Sequence, residues 1–170
     1  MVGLLLSGPC DTTAGVTDAY LDRVRALSTA KALTVAAYGE SVAAYRYRTL
    51  AEKATTDAQR RLFVQIADEE QGHHAAVQEL LQRHFPDSDY LLTAADKDLV
   101  IVGQRMFDLS DDPELTKTMV LICDSERRTG QFYAALAEIT TRTDLQPIFR
   151  AMSHECYEHA EQLASLGSTG

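Results

Sequence analysis

The sequence predicts an all-α protein, a four-helix bundle with a long crossover between its second and third helices. Three observations predict it. Apolar residues recur at three- and four-residue spacing through four long segments. No segment alternates apolar and polar residues with the period of two that a strand requires. The links between the segments run short, long, short. A short link folds two helices back as an antiparallel hairpin, and a long one carries the chain across the bundle.

In chain order, residues 1–27 read as an N-terminal extension. Residues 1–16 are rich in Gly, Thr and Ser, and Val16 to Ala26 read as a short helix capped by Thr17. The bundle is expected over residues 28–166. Its first helix begins near Ser28, a good N-cap, and runs to about Ala54. Thr55, Thr56 and Asp57 form a turn and the next cap, and the second helix runs to about His84, ahead of Pro86. Residues 85–111 are the crossover, in which Thr93 to Val102 read as either a short helix or an apolar strap over the bundle. Asp112 and Pro113 pair a cap with a proline in the first helical position, starting a third helix that runs to about Thr140. Asp144 is expected to cap the fourth, with Pro147 tolerated in its first turn and Gly167 at its end.

The 170 residues suit one domain with a sizeable core, and 45% apolar with 24% charged residues is a globular balance. A net charge of −9 without basic runs argues against nucleic acid or an anionic membrane surface as a partner. Cys10, Cys123 and Cys156 are odd in number and contain no Cys-x-x-Cys pair, so neither a disulfide framework nor a rubredoxin or zinc-ribbon site is expected. The opening apolar run is only about three residues and lacks a basic flank, unlike a secretory signal. No stretch approaches the roughly 18 apolar residues of a membrane span. The cytoplasm is the expected location.

The chemistry centres on Glu70-x-x-His73. Residues three apart on a helix share a face, so a carboxylate and an imidazole so placed reach one ion. Ile66 and Val77 put His73 on the apolar stripe. The other helices add to the same centre. Glu40 interrupts an apolar face formed by Leu33, Ala36, Ala43, Ala44 and Tyr47, and Glu126 shares a face with Cys123, Gly130 and Tyr133. Met152, His159 and Leu163 repeat the frame of Ile66, His73 and Val77. Glu70 follows Glu40 by 30 residues, and position 156 follows Glu126 by the same 30. A lone carboxylate helix followed by a Glu/His helix, given twice, is the ligand plan of the di-iron carboxylate bundles. Two such ions repel strongly in a low-dielectric core. Carboxylates offset that charge, and carboxylate oxygen with imidazole nitrogen suits iron or manganese. Without metal, several buried carboxylates would be costly.

Residues 37–47, running from Ala37 through Glu40 to Tyr47, resemble the first helix of rubrerythrins. Glu126 with Phe132, Tyr133, Leu136 and Ala137, and Ile66 with Glu69, Glu70 and His73, resemble the wider rubrerythrin-like branch of the ferritin-like superfamily. The resemblance spans about residues 28–166. It implies a ferritin-like bundle that is dimeric or larger, holding two iron ions, or manganese, or a mixed pair. It implies Glu40, Glu70, His73, Glu126 and His159 as metal ligands. Activities in such families include peroxide reduction, iron oxidation and storage, and oxygen-dependent oxidation of organic substrates, tRNA hydroxylation among them. The chain departs from the pattern twice. It carries no rubredoxin domain, so peroxide reduction would draw on a separate electron donor. The sixth ligand position, a Glu in the family, is Cys156. Three readings of that place stand open: Glu155 swings in, Cys156 ligates as thiolate, or one metal position is weak.

Of the remaining residues, Tyr47, Cys123 and Tyr133 lie near the expected ligands and read as core packing or as support behind the centre. Glu69 lies off the ligand face, and His74, His84 and His154 read as surface or solvated. A metal-free helical interaction module is the reading that dispenses with the ions altogether.

Overall fold

The structure, a computed structural model, describes residues 17–103 and 112–167, without the side chains of 112–116. The readings made for residues 1–16, for the end of the crossover and for the Asp112 cap fall outside those residues.

Helix α1 (Asp18–Arg25) starts from Thr17, whose hydroxyl accepts the Tyr20 N–H. Helix α2 (Thr29–Lys53) is capped by Ser28. Helix α3 (Asp57–His84) opens on a capping box in which Thr56 and Gln59 satisfy each other's backbone N–H groups. Helix α4 (Ala94–Lys97) is a single turn with its own capping box, formed by Thr93 and Asp96. Helices α5 (Asp112–Ile139) and α6 (Gln146–Gly167) complete the set. Asp144 does not cap α6: its carboxylate takes the guanidinium of Arg142, 2.8 Å away, within the preceding turn.

Helices α2 and α3 pack as one hairpin and α5 and α6 as another. Gly130 lets the second hairpin close, since a Cβ there would lie 3.1 Å from the Tyr157 ring and 3.2 Å from the Ser153 carbonyl. The apolar interior falls into two clusters. One holds Leu33, Ala36, Val77, Phe132, Phe149 and Met152. The other holds Leu50, Phe63, Ile66, Ile122, Cys123 and Leu163. Between them lies a layer of buried charge, described below.

The crossover is both of the things its sequence suggested. After the single turn of α4, Leu99, Val100 and Ile101 run as a buried apolar strap against α2 and α5. Burying side chains of this size contributes about 1.5–3 kcal/mol each. The strap's backbone is pinned along its length. Arg128 donates to the Asp98 carbonyl at 3.1 Å, Tyr20 to that of Leu99 at 2.8 Å, Thr129 to that of Val100 at 3.1 Å and Arg46 to that of Val102 at 3.0 Å. The Ser125 hydroxyl accepts the Val102 N–H at 2.9 Å. An ion pair of 2.8 Å between Lys31 and Asp96 ties α4 to α2.

Two outcomes follow from the strap. The Lys31 ammonium and the Thr93 groups hold the pKa of the Asp96 carboxyl down to about 2. Its contribution is therefore present above its unfolded value of about 3.9 and is lost as pH falls through about 2. Asp96→Asn should cost roughly 1 kcal/mol near neutrality, a cost that vanishes between about pH 4 and pH 2 when urea midpoints are compared. Gly39 faces Val100, whose side chain would lie 3.0 Å from a Cβ at that position. Gly39→Leu should therefore destabilise by about 1–3 kcal/mol through overpacking. Val100→Ala should recover part of that loss in a double-mutant cycle, and additive effects would show that the two residues do not meet.

Candidate metal centre

Midway along the bundle, each long helix turns one or two acids or histidines into the layer between the two apolar clusters. Glu40 comes from α2, Glu70 and His73 from α3, Glu126 from α5 and His159 from α6. The three carboxylates and His159 are buried, and His73 is half-buried. Among the described residues, two sets of three donor atoms lie within 4.8 Å of one another: Glu40, Glu70 and His73, and Glu70, Glu126 and His159. Glu70 belongs to both. Its Oε2 lies 3.7 Å from His73 Nδ1, and its Oε1 lies 2.7 Å from His159 Nδ1.

These donor atoms face one another without satisfying one another. Glu70 Oε1, His73 Nδ1 and His159 Nδ1 are buried and have no hydrogen-bond partner. Even the 2.7 Å approach of Glu70 to His159 lacks the angle of a hydrogen bond. Buried polar atoms are ordinarily paired, and leaving one unpaired costs about 1–3 kcal/mol. A convergent set of such atoms is the arrangement a cation would satisfy.

The outer ring nitrogens, by contrast, are fully used. His73 Nε2 lies 2.7 Å from Glu155 Oε2, and His159 Nε2 lies 3.0 Å from Glu69 Oε2. An ionised carboxylate only accepts, so each Nε2 carries a proton toward its outer glutamate and each Nδ1 is turned inward. The two tyrosines act on the remaining carboxylates. Tyr47 donates to Glu126 Oε1 at 2.7 Å, and Tyr133 donates to Glu40 Oε1. Burial, with Glu126 beside one phenol and Glu40 beside the other, raises both phenols well above the ordinary range, so they remain donors.

A shift of 86 residues relates the two halves: Glu40 to Glu126, Tyr47 to Tyr133, Ile66 to Met152, Glu69 to Glu155, His73 to His159 and Val77 to Leu163. Every supporting bond crosses between the halves. The tyrosine of each hairpin serves the carboxylate of the other, and the outer glutamate of each serves the other's histidine. Glu70 corresponds to Cys156, where the likeness breaks.

The protonation pattern reflects the crowding. Burial opposes charge on His73, but Glu40 and Glu70 outweigh it and lift the ring to about 11. His159 reaches about 11 in the same way, through Glu126 and Glu70. Burial pushes Glu70 up to about 8, helped by the charges of Glu40 and Glu126. Burial opposes charge on Glu40 too, but the neighbouring Glu70 carboxyl, the His73 ring and the Tyr133 hydroxyl outweigh it and keep this carboxyl low. With no metal present, protons supply the positive charge that this cluster of acids requires.

Residues 31–104 match the Rubrerythrin family model. That stretch of the chain is similar to rubrerythrin. The matched stretch contains Glu40, Glu70 and His73 and stops short of Glu126 and His159. Among solved structures, the chain is similar to "Hypothetical Protein Pfu-1136390-001 From Pyrococcus furiosus", with a TM-score of 0.76 over 87% of this chain and 93% of that one, at 20% identity. That likeness is one of fold, an all-α helical bundle. No curated protein matches the chain.

Within this centre, several residues sit differently from the sequence reading. Glu155 does not join the donor sets; it is partly exposed and holds the outer face of His73. Cys156 is buried beside the centre and lies outside both sets. Burial and the surrounding carboxylates push its thiol well above the ordinary range. Glu69, off the face of its own helix, reaches across to His159. Tyr47 and Tyr133 are hydrogen-bond donors to the centre and not simply packing. Cys123 is buried in the second apolar cluster, its Sγ 3.6 Å from the Ala160 carbonyl oxygen. His74 is half-buried, with Nδ1 2.8 Å from the Ala37 carbonyl oxygen, and His84 is half-buried against Arg142; His154 is exposed, as expected. The crossed partners carry no signal along one helix, though the 86-residue repeat of Tyr and Glu would have flagged them.

Tyr47→Phe and Tyr133→Phe each take a donor from a buried carboxylate. Each should lower the stability of metal-free protein by about 1–3 kcal/mol in urea unfolding. Unchanged midpoints would show that the carboxylates find other partners.

Proposed function

We propose that this chain is a non-haem di-metal carboxylate protein whose centre holds two iron ions, or manganese, or one of each, and acts on oxygen or peroxide. One observation carries the reading: two donor triads share Glu70, and their inward atoms lack partners. Glu40 and His73 would serve one ion and Glu126 and His159 the other, with Glu70 between them. Metal bound there would supply redox capacity and a Lewis acid at a site with few protein ligands.

The protein's own residues do the rest. Glu69 and Glu155 keep the imidazoles in the tautomer that turns Nδ1 inward. Tyr47 and Tyr133 fix the outer carboxylates and stand as proton donors beside them. The two apolar clusters limit water around the layer. Cys156, in the place that corresponds to Glu70, lies outside both triads. A cysteine there supplies less charge to the centre than a glutamate would, and the sharing of Glu70 by both triads favours an effect on both ions.

Metal analysis after loading with ferrous ion tests the reading. Glu70→Ala should abolish stoichiometric binding. Glu69→Ala and Glu155→Ala should weaken it by roughly 10- to 100-fold, as loss of a histidine's outer partner does. A wild-type protein that retains no ion after gel filtration would overturn the proposal. Cys156→Glu restores the fourth inner carboxylate and should tighten both ions together. Tightening of a single ion would restore the asymmetric picture.

A further inference from the structure

The layer of donors has two faces, and they differ. On the histidine side, a cleft of about 280 Å³ is lined by Glu69, His73, Glu155, Glu158, His159 and Gln162. On the carboxylate side, a cavity touches Glu40, Glu70 and Glu126 and no histidine. Its free volume for a water-sized sphere is about 10 Å³, room for roughly one such molecule. Gly39, Val100 and Ile101 close it, and Arg46 supplies the one cation among its lining residues.

The small size is a consequence of the crossover. Val100 lies so close to α2 that position 39 has no room for an unstrained Cβ. Nor is the strap free to shift, because the carbonyls of Asp98, Leu99, Val100 and Val102 are each held by a side chain from α1, α2 or α5. A molecule with a carbon skeleton would have to break several of these bonds to reach the carboxylates from this side. One or two oxygen atoms would not.

We propose that Val100, seated against Gly39, limits the carboxylate side of the centre to small oxidants, dioxygen or hydrogen peroxide, and excludes carbon-based oxidants and substrates. The proposal rests on the di-metal reading for its chemistry, while the size limit belongs to the cavity itself. Were two ferrous ions held by these residues, hydrogen peroxide would take one electron from each as its O–O bond breaks, and two protons would complete two waters. With an organic hydroperoxide, the same two electrons and two protons give one water and one alcohol.

Two measurements decide it. The first needs no metal: crystals of wild type and Val100→Ala are pressurised with xenon. Wild type should show none in the cavity, whereas the variant, with two methyl groups removed beside Gly39, should show an atom there. Xenon in the wild-type cavity, or its absence from a folded variant, overturns the size limit. The second follows a single oxidation of ferrous-loaded protein by hydrogen peroxide or by cumene hydroperoxide. Wild type should prefer hydrogen peroxide by about tenfold or more, with the preference reduced in Val100→Ala at unchanged metal content. Equal rates in wild type overturn the proposal. Should the protein hold no iron, the di-metal reading fails, and the xenon result still decides whether Val100 sets the size of the cavity.

Discussion

Charge burial governs this structure. Three carboxylates and two imidazoles occupy one layer across the middle of the bundle, where the dielectric is low and water is scarce. Left to themselves, the three acids would repel one another and the bundle would open. The metal-free protein answers with protons, on Glu70 and on both histidines. That answer is incomplete, because atoms of the same three residues remain without hydrogen bonds. A bundle stabilised only by packing would gain from apolar residues at these positions. The layer makes physical sense as a place for cations, with the two apolar clusters on either side holding the helices while the centre is unfilled.

The crossed pairing of the two halves explains why the layer is rigid. If each hairpin bonded its own histidine and carboxylate, the hairpins would meet only through apolar contacts, which slide at little cost. Instead, Tyr47 on α2 fixes Glu126 on α5, Tyr133 on α5 fixes Glu40 on α2, and each outer glutamate fixes the histidine of the other hairpin. The register between the hairpins is thereby set at the level of the donors. Outer carboxylates on the histidines also make the inner nitrogens better ligands, so one set of bonds serves both geometry and affinity.

Much of this was legible in the sequence, and the parts that were not share a cause. Helix ends were readable because caps are local: Thr17, Ser28 and Thr56 act on residues three positions away. The inward residues were readable because Glu40, Glu70, His73, Glu126 and His159 interrupt apolar stripes at matched spacing. Asp144 was misjudged because Arg142, two residues before it, competes for the same carboxylate. The approach of Glu69 to His159 was not readable, because a residue about 100° off its helix's inner face looks solvated until the neighbouring helix is placed. The strap was half read. Its apolar run was visible, but the side chains that hold its carbonyls come from α1, α2 and α5, and no pattern along one segment encodes them.

The cysteine, the cavity and the strap belong to one electrostatic argument. Two divalent cations would bring four positive charges against three inner carboxylates, and the buried guanidinium of Arg46 adds a further one at the cavity wall. A glutamate at position 156 would balance the ions. Cysteine does so only as thiolate, a form that burial and its acidic neighbours oppose in the metal-free protein. The surplus charge therefore favours a small anion or a strongly polarised oxygen species in the space beside the carboxylates that Arg46 lines. A larger group would satisfy the charge equally well but would have to displace Val100, whose backbone is fixed by the same bundle that carries the ligands. In this chain the loss of a carboxylate and the tightness of the strap act together: one creates a demand for an added ligand, and the other restricts its size.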